Sequence, residues 1–243
     1  MQTIKALGAL LLYPEEAIIE ALDELQQLIE KEPLLSPEQT AAVVHCIEEM
    51  RPQGLLDLQE QYVQLFDNSP KHALYLFQHL YGDSPDRGPA MADLIEMYRD
   101  HGYQPMASEL PDYLPLYCEF AAQFEEQEAR SLLGRALPVL ELIAQRLQQK
   151  GSAYCGVFSA LGSLAIADEE TEAVAQLLKV QTRNSKTEQT LDEAWQEQPV
   201  SFTAAGEQLN HPTGTINTVV NPLDNIRVEA VTCKQTRNQH VRN

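Results

Sequence analysis

From residue 1 to residue 165 the apolar side chains recur at helical spacing almost without a break, and no stretch alternates as a strand would. A sustained period near 3.6 places side chains on one helix face and cannot serve a half-buried sheet, so this pattern narrows the fold more than composition does. Ile18, Ile19, Leu22, Leu25, Leu28 and Ile29 recur in register, with Glu20, Asp23, Glu24 and Gln27 between them, as an amphipathic helix requires. Ser36-Pro37-Glu38-Gln39 joins an N-cap serine, a proline at the first helical position and a glutamine at the reciprocal capping position. A helix therefore opens there and runs to about Met50, where Pro52 and Gly54 close it. Further helices are predicted over 55–66, 71–81, 86–101, 112–128, 131–149 and 152–166, each bounded by Pro, Gly, Ser or Asp. Short connections between amphipathic helices favour antiparallel neighbours, so the expected fold is all-α, a single helical bundle.

The longest uninterrupted apolar run, residues 6–13, falls far short of the roughly 18–20 residues of a spanning helix, so no membrane insertion is expected. It follows a single Lys5, lacks a small-x-small cleavage site and is followed by Pro14-Glu15-Glu16. It reads as a first core helix over 4–13 rather than a secretory signal. Cys46, Cys118, Cys155 and Cys233 stand singly, without a C-x-x-C pair, which fits a reducing, cytoplasmic location. The composition changes near the end: residues 199–243 carry 3 acidic and 4 basic residues and six of the eight asparagines. Asn210-His211-Pro212-Thr213-Gly214 and Asn221-Pro222 are turn signals there without a sustained period. The expected organisation is an all-helical domain over 1–180, a short amphipathic extension around Trp195 over 181–205, and a poorly ordered, mobile tail over 206–243. Leu191, Ala194 and Trp195 form a small apolar patch, either a helix docking onto the bundle or an anchor for a partner.

Charge excludes one partner class. With 36 acidic against 17 basic residues the formal charge is -19, and the densest local run is acidic, at Glu125, Glu126 and Glu128. A phosphate backbone needs clustered Lys and Arg, so no nucleic acid is expected; a basic amphipathic segment is the better match. Neither G-x-G-x-x-G nor G-x-x-x-x-G-K-[ST] occurs, and there is no H-E-x-x-H pair or G-x-S-x-G elbow. His72 and His79, seven apart, could share a helix face. With only Asp83 near them they read as surface or interhelical histidines rather than metal ligands. Cys118 beside Glu119 reads as a small core residue, because adjacent helical residues point about 100° apart. No catalytic residue, metal or cofactor is expected, and the chain is not read as an enzyme.

The most informative segment is residues 109–120, Glu109-Leu110-Pro111-Asp112-Tyr113-Leu114-Pro115-Leu116-Tyr117-Cys118-Glu119-Phe120. On a continuous helix Tyr113, Leu116, Tyr117, Phe120 and Phe124 would fall within about 40° of one direction, with Asp112 and Glu119 superposed on a neighbouring strip. Two readings stand. The stripe is ordinary core and Asp112, three residues before Pro115, is a helix N-cap; or it lines a groove for a basic amphipathic peptide, bordered by carboxylates. Leu58, Tyr62, Leu65 and Phe66 make a second stripe, and Leu74, Phe77 and Tyr81 a third. On the groove reading the peptide-binding residues are Tyr62, Phe66, Glu109, Asp112, Tyr113, Leu116, Tyr117, Glu119 and Phe120.

At these residues the sequence resembles the delta-chain or NarJ family, assembly chaperones of respiratory nitrate reductase within the all-α redox-enzyme maturation proteins. The blocks that carry the resemblance are Gln61-Tyr62-Val63-Gln64-Leu65-Phe66-Asp67, then Leu76 to Gly88, Met91-Ala92-Asp93-Leu94, His101-Gly102, the 109–120 segment, and Leu191 to Trp195 with Val200 to Phe202. The family's E-L-P-D-H-L motif is matched at Glu109, Pro111, Asp112 and Leu114, with Tyr113 in place of the histidine. The resemblance implies a non-catalytic, cytoplasmic chaperone with a helical bundle of the redox-enzyme maturation type. Its partner would be the apo catalytic (alpha) subunit of respiratory nitrate reductase, held by its N-terminal peptide. The chaperone would keep that subunit ready for iron–sulfur and molybdenum cofactor insertion before membrane docking. From the residues alone, a general helical adaptor for basic amphipathic peptides fits as well.

Overall fold

The computed structural model describes residues 1–104 and 109–194. Among them are eleven α-helices, one π-helical turn and no strand. The first is α1 (Gln2–Ala9), whose free N–H groups are capped from a distance: Glu32 accepts from the backbone of Gln2 and Thr3 at 3.2 and 2.8 Å and from the Thr3 hydroxyl at 2.6 Å. It ends earlier than the run 4–13 suggests, because Leu11 and Leu12 bond three residues back, to Gly8 and Ala9. The helix predicted through Ile18 and Ile29 divides at Ala21 into α2 (Glu16–Glu20) and α3 (Leu22–Lys31). The Ser-Pro-Glu-Gln run opens α4 (Pro37–Met50) with both halves of its capping box formed. Next come α5 (Leu55–Tyr62), continued by the π turn Val63–Asp67, then α6 (Leu76–Tyr81) and α7 (Arg87–Asp100). The chain closes with α8 (Leu114–Ala121), α9 (Glu126–Lys150), α10 (Cys155–Leu164) and α11 (Glu169–Ala194).

Two predicted boundaries are corrected. The helix over 71–81 begins only at Leu76, because residues 74–76 pair with 112–114. Leu114 N–H donates to Leu74 O at 2.8 Å and Leu76 N–H to Asp112 O at 3.0 Å, with an antiparallel bridge between Tyr75 and Tyr113. The second correction moves a break: 112–128 is not one helix, since the chain turns at Ala122–Phe124, and α9 then runs without interruption through residue 131. Ser131, read as the start of a new helix, instead lies inside α9, where its hydroxyl donates to Asp168 at 3.3 Å. A serine that bonds across to another element leaves its own helix undisturbed.

The core sits around α8 and α9. Leu7, Leu10 and Leu11 of the N-terminal segment, Leu114 and Phe120 of α8, Leu133 and Leu140 of α9, and Phe158 and Leu161 of α10 are fully buried. The α1–α8 crossing is close because Gly8 carries no side chain; a Cβ there would lie 2.7 Å from Cys118 Cβ. Gly134 seats the chain entering α11 in the same way, since a Cβ would run into the backbone carbonyl of Ile166. Met1–Gln196 forms one compact unit. The α11 backbone continues unbroken across residue 180. Trp195, Val200, Phe202 and the tail over 206–243 lie outside the described residues.

Candidate functional site

The structure buries Asp112, Leu114, Leu116, Tyr117, Cys118 and Phe120 in the core and leaves Glu109, Leu110 and Glu119 exposed. Asp112 is fully buried. Its Oδ2 accepts from the Phe77 N–H at 2.9 Å, so it caps α6 from a distant part of the chain rather than α8, whose N-cap residue is Tyr113. The Arg87 guanidinium stands 3.9 Å away, and Oδ1 finds no hydrogen-bond partner among the described residues. Burial raises the carboxyl's pKa above the usual range, while the Phe77 N–H and then Arg87 oppose the shift. Glu119 is exposed and accepts from the Tyr103 hydroxyl at 3.1 Å. The two carboxylates expected to flank one strip are therefore far apart in role: one is interior, the other at the surface. The geometry fails because Asp112 precedes the helix and the chain turns before Phe124, so the 100° arithmetic spans more residues than α8 contains.

The first two aromatic stripes are largely core for a readable reason. Tyr62, Tyr98 and Tyr117 are each at least 96 % buried, and each donates its hydroxyl to a backbone carbonyl: Leu11 O at 3.0 Å, Pro111 O at 2.8 Å and Leu132 O at 2.7 Å. A buried phenol with its hydroxyl satisfied gives the apolar area of a ring at little polar cost. Phe66 packs on Tyr62 with ring centroids 4.9 Å apart and on Tyr154 at 5.1 Å. Phe120 packs on Tyr98 at 4.6 Å and on Phe124 at 4.9 Å. Leu116 is buried, Tyr113 is half-buried with its hydroxyl 3.2 Å from that of Tyr62, and Glu109 is exposed. Tyr62, Phe66, Leu116 and Phe120 thus form interior contacts and do not line one accessible groove.

An open cavity lies elsewhere. A space of about 500 Å³ opens between α6, α7, α9 and α11, within the roughly 300–1,000 Å³ span of ligand pockets. Phe77, Leu80 and Tyr81 line it from α6, Leu94 and Met97 from α7, Ala136 and Val139 from α9, and Val174 and Leu177 from α11. Of the nine residues expected to bind peptide, Tyr117 alone lines this cavity, at its buried end. The walls are apolar and the charged groups at it are Asp93, Glu170 and Arg135, the last two ion-paired at 2.6 Å. Phe77 and Tyr81, stacked edge to face at 5.4 Å, are the third stripe of the sequence. The signal for this site was therefore present, but Leu94 and Met97 across the cavity and Leu177 above it belong to helices whose neighbours the sequence does not reveal.

The remaining candidates are structural. His72 precedes α6 rather than sharing a helix with His79, because the helix starts late. Both are buried. His79 Nε2 lies 2.8 Å from Ala73 O, and Arg146, which donates to Lys71 O at 2.8 Å, approaches its Nδ1 at 3.5 Å. Burial holds the His79 pKa down at about 4, with the Arg146 charge adding to the shift. Burial pushes the Cys46 and Cys118 thiols up to about 12, which leaves them protonated and inert at neutral pH. No group of three or more His, Cys, Asp or Glu capable of holding a metal occurs among the described residues. No described helix is long and apolar enough to cross a membrane.

With the geometry in place, comparison with known proteins decides the family. The sequence model of the nitrate reductase delta subunit matches residues 15–160. The chain belongs to that family. A nitrate reductase molybdenum cofactor assembly chaperone, NarJ, of Escherichia coli K12 is 38% identical over 195 residues, covering 80% of this chain and 82% of the relative. A probable chaperone of the same description from that organism, NarW, is 33% identical over 202 residues, 83% of this chain and 84% of the relative. A probable NarJ of Bacillus subtilis is 33% identical over 159 residues, 65% of this chain and 85% of the relative. The delta-subunit match encloses α6, α7 and α9, three walls of the cavity, and ends before α11.

Proposed function

We propose that this delta-family chain is a cytoplasmic, non-catalytic chaperone dedicated to respiratory nitrate reductase. In this reading it binds the N-terminal segment of the apo catalytic subunit and holds that subunit for molybdenum cofactor and iron–sulfur insertion before membrane docking. The observation that carries the reading is the likeness, over about four fifths of both chains, to relatives described as molybdenum cofactor assembly chaperones.

The cavity between α6, α7, α9 and α11 supports a peptide ligand of defined chemistry. Its walls suit the apolar face of a short amphipathic helix laid into a groove, and Met97, unbranched and polarizable, can adjust to different side chains. Each large apolar side chain buried there would contribute roughly 1.5–3 kcal/mol before ordering costs are subtracted. Asp93 and Glu170 at the cavity would orient a basic residue of the segment and favour the correct partner more than they raise affinity. Asp112 and Glu119 have no part in this contact, since one is buried under α6 and the other is bonded to Tyr103 on another face.

Calorimetric titration of the full chain with a peptide from the first fifteen or so residues of the nitrate reductase catalytic subunit, beside a scrambled peptide, tests the reading. Saturable one-to-one binding of the native order alone is expected. Equal binding of both peptides would replace the dedicated chaperone by a general adaptor for basic amphipathic helices, and binding of neither would remove the leader from the function.

A further inference from the structure

The fourth wall of the cavity is held unevenly. At its start α11 is fixed: Thr171 N–H donates to Asp168 Oδ1 at 2.9 Å and the Asp168 N–H to Thr171 Oγ1 at 3.0 Å. The Ile166 N–H donates to Arg130 O at 2.9 Å, Thr171 is buried, and Gly134 leaves no room for a side chain beneath Ile166. Past this turn the hold weakens. Val174 and Leu178 are only half-buried, while Leu177 and Val180 are 43 % and 56 % exposed. The Arg135–Glu170 pair has both partners substantially solvated, a setting in which ion pairs contribute little. Farther along, the Gln181 side chain packs where a Cβ on Gly82 would lie, at the C-terminal end of α6. α11 packs against α9 and α6, yet between these helices and α7 about 500 Å³ of apolar space stays unfilled.

That space is also too small for the ligand it suits. A ten-residue helix about 15 Å long and about 10 Å across occupies on the order of 1,000 Å³. A space of about 500 Å³ can take the apolar side chains of such a helix but not its backbone. We propose that α11, beyond the turn at Thr171, is a hinged cover: it lies in the place of the client helix, pivots on the Asp168–Thr171 cap and lifts when the client enters. This inference rests on the peptide reading given above. It makes affinity a product of intrinsic contact and the fraction of molecules with α11 open, so the cover sets a threshold that a weakly complementary peptide fails to pass.

Hydrogen exchange on the full chain tests the hinge without any ligand. Amides over 172–182 should exchange roughly 100-fold faster than those of α9 over 139–147, through local opening; equal protection of the two helices would overturn the cover. With saturating leader peptide, exchange over 172–182 should rise further. Increased protection there would make α11 a clamp instead. Leu178→Ala, which loosens the seat of α11 without touching the cavity lining, should tighten peptide binding about threefold or more, and Leu178→Ser, which loosens it further, should move it in the same direction. Weaker binding by both variants would overturn the proposal while leaving the peptide reading intact. Failure of the unaltered chain to bind peptide would instead remove the reading on which it rests, and the ligand-free exchange would still decide whether α11 opens.

Discussion

Two aromatic regions of this chain look alike in sequence and differ in three dimensions. Around Phe120 the rings of Tyr98, Tyr103, Phe124 and His101 pack on every side, and the Tyr98 hydroxyl is spent on Pro111 O. Around Phe77 and Tyr81 the rings meet each other edge to face but open onto a cavity on their other side. Aromatic density at helical spacing therefore does not distinguish core from contact surface. What separates them is the neighbour: a closed region has a helix whose side chains fill it, and an open one has α11, whose side chains only partly do.

The largest test of this contrast is truncation in the closed region. Phe120→Ala should cost about 3–5 kcal/mol of stability by chemical denaturation, because a fully buried ring leaves a cavity that its neighbours cannot fill; a loss under about 1 kcal/mol would mean the region is as open as the other.

Acid should act at His79, buried on α6. Its pKa is held at about 4 in the folded chain against 6.5 when free, so the unfolded chain binds the extra proton first. Stability is complete above pH 6.5 and falls as pH drops from 6.5 to 4, by at most about 3 kcal/mol. His79→Gln should flatten that part of a stability-against-pH curve.

Asp112 comes next. Asp112→Ala, which removes the acceptor of the Phe77 N–H, should cost about 1–2 kcal/mol. Asp112→Asn keeps an acceptor and sheds a buried charge, so its melting temperature should match or exceed that of the unaltered chain. If both variants lose equal stability, the pairing with Arg87 rather than the cap is what matters.

On the open side, Ala90 lines the cavity from α7, and Ala90→Trp should fill part of it and weaken leader-peptide binding about tenfold, equivalent to 1.4 kcal/mol, with helical circular dichroism unchanged. The smallest effect belongs to Glu119→Gln: within about 0.5 kcal/mol in stability and none in peptide titration, since Glu119 is exposed and away from the cavity.

Much of the local structure was legible because it depends on neighbours in sequence. The α4 capping box, the all-helical pattern and the blocks that resemble the delta family needed no tertiary information. Even the stripe of Leu74, Phe77 and Tyr81 was visible as apolar spacing. The role of Asp112 was not legible, because its partner, the Phe77 N–H, lies 35 residues away, and an aspartate before a proline looks like a local cap in either case. Ser131 misled for the same reason: its hydroxyl serves Asp168, which no local rule could anticipate.

The sequence by itself determined that this chain is helical, acidic and of the delta-subunit family, because periodicity, charge and motif order are properties of the order of residues. The tertiary structure alone decided which aromatic stripe is sealed and which is open. That depends on whether a helix distant in the chain fills the facing space, and on which backbone carbonyl each buried hydroxyl meets; both are long-range packing outcomes that spacing along one helix does not encode.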